Sequence, residues 1–148
     1  MTPSSTEVRG FRAVFIMIGI LYLLMAASAL VRGVGMLRDF GVPDETVASP
    51  VLADFFTFFY EHMMFVATLV VVFGLVTRGR RAQRFVCVVF AIANLAFAFR
   101  DLSTSDSRFG DHLYRGDATL VFVAIDLALA AAFAALVVVD VLRARVRG

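Results

Sequence analysis

Apolar residues run along the chain in four long stretches separated by short polar segments, at about 13–31, 51–76, 85–99 and 118–142. A hydrocarbon layer ~30 Å thick takes about 20 mostly apolar residues in helix to cross. Each stretch therefore predicts a membrane-spanning helix, because lipid offers no partner for an unpaired backbone group. The third stretch is the shortest and reaches across by borrowing Gln83 or Asp101, by tilting, or by thinning the bilayer. Gly41, Pro43 and Pro50 punctuate the first connection, Gly79 among Arg78–Arg81 the second, and Gly110 and Gly116 the third. Pro50 suits the first turn of the second helix, with Ser49 as its cap. No internal repeat or low-complexity segment interrupts the pattern. The expected fold is all-α: one integral-membrane four-helix bundle spanning residues 1–148.

Composition agrees. Of 148 residues, 61% are hydrophobic and 18% charged, whereas a soluble domain is nearer half and a quarter. This excludes a water-soluble globule and a disordered chain. A single Cys excludes an internal disulfide. The net charge of +2 is scattered between apolar runs with no continuous basic face, so nucleic acid is not an expected partner.

All basic side chains other than the two histidines are arginine, and their placement predicts orientation. Arg9, Arg12, Arg78, Arg80, Arg81, Arg84, Arg143, Arg145 and Arg147 fall on one side of the alternating spans. Arg32, Arg38, Arg100, Arg108 and Arg115 fall on the other, diluted by acids such as Asp39, Asp44 and Asp111. Both termini are expected in the cytoplasm and the protein in the inner, cell membrane as a multi-pass chain. Arg9 and Arg12, an apolar run and Ala27-Ser28-Ala29 imitate a cleavable signal peptide. The run continues to Val31, longer than an h-region of about 7 to 15 residues, so retention is expected.

An acid at mid-membrane costs about 2.5–3.5 kcal/mol on insertion scales and asks for a reason. Asp54 and Glu61 lie in the second span and Asp126 in the fourth, with His62 beside Glu61 and Asn94 in the third. With the predicted orientation these groups, together with Arg100 and Asp101, fall in the outer half, and the inner half carries no acid to continue a proton route. Residues seven apart lie within ~20° on a helix. Asp54 and Glu61 share a face, as do Gln83, Cys87, Asn94 and Asp101, and Thr119 and Asp126. The simplest packing turns all three polar lines inward around a cavity open to the outside.

A plainer reading stands beside this one. Asn94, Thr57, Thr68 and Thr119 also serve as interhelical hydrogen-bonding glue, worth about 0.6 kcal/mol each. Arg100 and Asp101 also mark the interface. Two ionisable acids, Glu61 and Asp126, exceed what glue needs. Metal binding is disfavoured because Glu61 and His62 point about 100° apart, unlike Glu-x-x-His on one face. The other histidine, His112, falls in a loop, and no cofactor is expected. Cys87 reads as a small core residue, and no phosphate loop, nucleophile elbow or Cys-x-x-Cys occurs.

Phe55-Phe56-Thr57-Phe58-Phe59-Tyr60 rings the second helix with aromatics, Phe58 and Phe65 flanking the acidic line. Most of these rings read as packing. Carboxylates joined to phenyl rings suit an amphipathic cation or a planar lipid. Asp54, Phe58, Phe65, Asn94, Arg100 and Tyr22 are the candidate ligand-binding residues, and Glu61, Asp126 and His62 the candidate catalytic ones. Ala124, Ala128, Ala131, Ala132 and Ala135 form a small-residue stripe opposite Asp126, which suits a homo-oligomer or a larger membrane complex.

Four short-looped helices, the opening Phe58-Phe59-Tyr60-Glu61, the basic turn Arg78–Arg84 and a third helix ending Phe99-Arg100-Asp101 resemble the DoxX-like superfamily of small four-helix bacterial membrane proteins. The sterol isomerase and sigma-two receptor group is similar in plan at a greater distance. The pattern covers about residues 11–142. DoxX-like proteins often carry a glycine pair after that tyrosine, where this chain has Glu61 and His62. The resemblance implies an accessory role in a membrane redox system. The isomerase-like group implies acids and a histidine that protonate a lipid double bond. The residues thus predict binding of a lipidic or amphipathic ligand in an acidic and aromatic cavity. The alternative is acid/base proton transfer on a lipid by Glu61 and Asp126, with His62 tuning them.

Overall fold

The computed structural model describes residues 7–104 and 117–146; of Thr104 and residues 117–119 only the backbone is described. Among the described residues there are helices and no strands: α1 (Phe11–Arg32), a 3-10 helix (Val34–Phe40), α2 (Asp44–Val47), α3 (Pro50–Val76), α4 (Arg80–Thr104) and α5 (Asp117–Val146). α1, α3, α4 and α5 are each long and apolar enough to cross a membrane. Less than a third of each span is buried within the chain. The rest presents side chains such as Leu24, Phe65, Phe85 and Ile92 outward, which water would penalise by about 25 cal/mol per Å² and lipid does not.

The helices exceed the apolar stretches at their ends, most of all α4, which extends the expected 85–99 to Arg80–Thr104. Charged ends do not stop a helix, because long side chains snorkel while the backbone ladder continues. Gly110, Gly116 and His112 lie outside the described residues. The expected loop after α1 contains the 3-10 helix and α2. Gly33 ends α1 with its N–H on the Ala29 carbonyl at 2.8 Å and φ of 64°, a positive-φ conformation that glycine takes without a Cβ penalty. Pro50 opens α3 as expected, with the Leu52 N–H 3.5 Å from the Ser49 hydroxyl.

Two compact units result. In the α1–α3 unit the two long helices run antiparallel. Gly19 of α1 faces Ala67 and Val71 of α3, and Gly74 of α3 faces Phe15 and Ile16 of α1. A Cβ on Gly19 would stand 2.5 Å from Val71 Cγ2 and 2.9 Å from the Ala67 carbonyl oxygen, and one on Gly74 would stand 2.8 Å from Phe15 Cβ. Small residues let helices without a water-driven force gain dispersion contacts. At the far end of this hairpin, Ala29 and Phe56 join Leu37, Val42 and Val47 of the connecting segment in a buried cluster. The Arg32–Asp39 ion pair and Arg38 Nε on Asp44 at 2.5 Å secure that segment.

The α4–α5 unit is a second antiparallel hairpin, joined by residues 7–11. Arg84 near the start of α4 meets Asp140 near the end of α5, and midway the Phe90 and Phe133 rings lie 5.3 Å apart. The packed face of α4 carries Gln83, Cys87, Ala91, Asn94 and Ala98, and that of α5 carries Val123, Ala130, Phe133 and Asp140. The backbone of residues 7–11 is held by buried Gln83, whose Oε1 accepts the Val8 N–H at 2.6 Å while its Nε2 donates to the Thr77 carbonyl at 3.1 Å.

Candidate functional site

Within the α1–α3 unit, α3 buries Phe56, Ala67, Val70 and Gly74. These recur at helical spacing and take up one side of the helix. Asp54, Phe58, Glu61 and Phe65 recur at spacings of four, three and four on the opposite side, and all four are exposed, as is His62. The expectation that this acidic line turns inward is therefore corrected. The close approach at Gly19 and Gly74 selects the small-residue face of α3 for packing and leaves the carboxylates on the other.

Local geometry organises this exposed face. Asp54 and Glu61 are about 10 Å apart along the axis, at 1.5 Å per residue, and neither makes a hydrogen bond or ion pair among the described residues. His62 Nδ1 lies 2.8 Å from the Phe58 carbonyl oxygen, and the two rings are 3.9 Å apart. A carbonyl oxygen only accepts, so Nδ1 holds the proton and a neutral His62 keeps its lone pair on Nε2. Thr57 and Thr68 donate to the carbonyls of Ala53 and Met64 at 3.0 and 2.9 Å. Their hydroxyls are satisfied by their own helix rather than bridging to another. Tyr22, on α1, is half-buried.

The polar lines of the α4–α5 unit do lie on packed faces. Asn94 is buried and donates to the Phe90 carbonyl at 2.7 Å, again within its own helix. Asp126 is half-buried on the side of α5 that carries Val123 and Ala130. Arg100 is exposed near the end of α4. The alanine stripe of α5 faces out, with Ala124, Ala128, Ala131 and Ala135 all exposed. The side chain of Thr119 lies outside the described residues.

One ionisable cluster escapes the reading of the apolar stretches. Asp140 is buried, contrary to the expectation of an acid-free half, and Arg84 grips its Oδ2 through Nε at 2.7 Å and Nη2 at 2.6 Å. Arg80 Nε approaches the Asp140 Oδ1 at 3.3 Å. The signal was present: Asp140 falls inside the fourth apolar stretch, and Arg80 and Arg84 share a helix face at i, i+4. What it lacked was the hairpin register that brings residue 84 to residue 140.

Two chemistries are on offer. The α3 face can hold a cation between carboxylates and aromatic rings, or exchange a proton at His62 Nε2. The Arg80–Arg84–Asp140 cluster sets two guanidiniums on one buried carboxylate and reads as structure, with the Arg80 Nε left without a hydrogen bond. Among the described residues no three His, Cys, Asp or Glu side chains group as a metal site requires. No protein-family model, curated protein or solved structure matches the chain.

Proposed function

We propose that this multi-pass membrane protein binds a cationic amphiphile along the exposed face of α3. Asp54 and Glu61 take the cationic head, and Phe58 and Phe65 take the apolar body. The observation that carries the reading is the pair of unpartnered carboxylates in an apolar span, set among phenyl rings on a face that α1 leaves free. Left facing hydrocarbon, each acid costs about 2.5–3.5 kcal/mol. A bound cation offsets that cost, and cation–π attraction to the rings adds to it. The arginine asymmetry supports cytoplasmic termini in an inner membrane, which sets Asp54 and Glu61 toward the outer leaflet. The DoxX-like resemblance supports an accessory place beside a membrane redox system, and the outward alanine stripe of α5 supports assembly with a second copy or partner.

The test is binding of a radiolabelled long-chain trimethylammonium, below its micellar concentration, to protein in nanodiscs. Asp54→Asn with Glu61→Gln should weaken binding at least tenfold with thermal stability unchanged, and the alcohol of equal chain length should bind poorly. Equal affinity for the alcohol and the ammonium, or full affinity in the double variant, overturns the reading.

A second reading rests on His62. With Nδ1 donating to the Phe58 carbonyl, Nε2 is the free basic nitrogen on the exposed face of α3, the kind of base a proton-transfer enzyme acting on a lipid needs. Mass spectrometry of lipids incubated with the protein in deuterated buffer separates the two. Deuterium incorporation lost in His62→Gln, with ammonium binding kept, favours the enzyme.

A further inference from the structure

We propose that the α4 N-terminal end of the α4–α5 unit is a binding site for an anionic phospholipid, its phosphate on Arg81 and its acyl chain along α4. The inference is independent of the α3 face. The first turn of α4 contains Arg80 and Arg81 and no acid, against the rule that cations are unfavourable at the positive pole of a helix. Asp140 compensates Arg80 and Arg84, and Glu7 pairs with Arg78 at 3.7 Å. Arg81 makes no hydrogen bond or ion pair among the described residues, and the same holds for Arg143 and Arg145, which α5 brings to the same end. Among the described residues Glu7 and Asp140 are thus outnumbered by the guanidiniums of this end, and the Arg80 Nε, though 3.3 Å from Asp140 Oδ1, is buried without a hydrogen bond. A local excess of that kind is relieved by an anion.

The surface beneath Arg81 says which anion. Arg81, Phe85, Val88 and Ile92 follow one another at spacings of four, three and four and are all exposed, so they form one stripe along α4. From Arg81 to Ile92 the stripe is about 16 Å long at 1.5 Å per residue, close to half of a ~30 Å hydrocarbon layer. A guanidinium at the headgroup level with one leaflet's depth of apolar side chains below it matches a phosphate joined to an acyl chain. A free phosphate ion uses only the first of these. The lateral stripe needs no cavity.

The experiment is native mass spectrometry of the full chain released from nanodiscs of equal phosphatidylglycerol and phosphatidylcholine, read as the ratio of retained lipids. The wild type should retain phosphatidylglycerol preferentially. Arg81→Gln with Arg143→Gln should lower that preference by about thirty-fold, from about 1 kcal/mol per arginine near an anionic surface, while Arg81→Lys should keep most of it. Ile92→Ser should lower retention of phosphatidylglycerol without altering response to inorganic phosphate. An unchanged lipid ratio in the double glutamine variant overturns the site. Complete competition by millimolar inorganic phosphate, with no effect of Ile92→Ser, also overturns it by showing a phosphate ion only. Both substituted positions on α4 are exposed, so circular dichroism and melting temperature confirm that folding is retained.

Discussion

Arg84 of α4 closes on Asp140 of α5 with two nitrogens 2.6 and 2.7 Å from one carboxylate oxygen. The pair fixes the register of the α4–α5 hairpin at one end, where Asp140 is buried and Arg84 keeps about a third of its side-chain surface. Removing one partner from such a pair leaves the other charge uncompensated, and the loss exceeds the net worth of the pair itself. With the arginines partly wet, Asp140→Asn should cost about 1–3 kcal/mol, less than the full buried-pair figure. A double-mutant cycle of Asp140→Asn with Arg84→Gln, followed by thermal unfolding in nanodiscs, should show positive coupling. Strictly additive losses contradict this assignment.

The α1–α3 hairpin depends on contact too close for a methyl group. Gly19→Ala should destabilise by about 1–3 kcal/mol despite the better helix propensity of alanine, because the obstructing Ala67 carbonyl is backbone and cannot rotate away. Gly74→Ala should act in the same direction, since the obstacle is the Cβ of Phe15 rather than the end of a flexible side chain. Unfolding midpoints at or above the wild type would show that the helices can part without loss.

Gln83 is the latch for residues 7–11. Gln83→Leu removes the acceptor of the Val8 N–H and the donor to the Thr77 carbonyl together, and a buried group left unpaired costs about 1–3 kcal/mol. Hydrogen exchange at the Val8 amide should speed up at least tenfold while amides in the middle of α5 keep their protection. Equal acceleration in both places would indicate general unfolding instead.

His62 should exist as the Nδ1–H tautomer when neutral, because its Nδ1 faces a carbonyl at 2.8 Å. Nitrogen chemical shifts of ¹⁵N-histidine-labelled protein at high pH distinguish the two ring nitrogens directly. A neutral ring protonated at Nε2 would remove the lone pair on which the proton-transfer reading relies.

The four spans were legible in the amino-acid order, because crossing hydrocarbon constrains composition over about 20 consecutive residues and needs no knowledge of neighbours. So was the alignment of polar residues on each helix, since 3.6 residues per turn sets it locally. Which face each helix buries was not. Gln83, Cys87 and Asn94 lie on the packed side of α4, while Asp54 and Glu61 lie on the outward side of α3. The difference is that Gly19 and Gly74 admit a backbone-close contact on one side of α3 alone. Asp140 shows the same division: its residue type and position were in plain view, but its meaning came from a partner 56 residues away. Hydrophobicity along the chain therefore determined that helices form and span, whereas side-chain volume across the chain decided which residues meet, because packing in lipid is a short-range matter of fit between surfaces that sequence neighbours do not share.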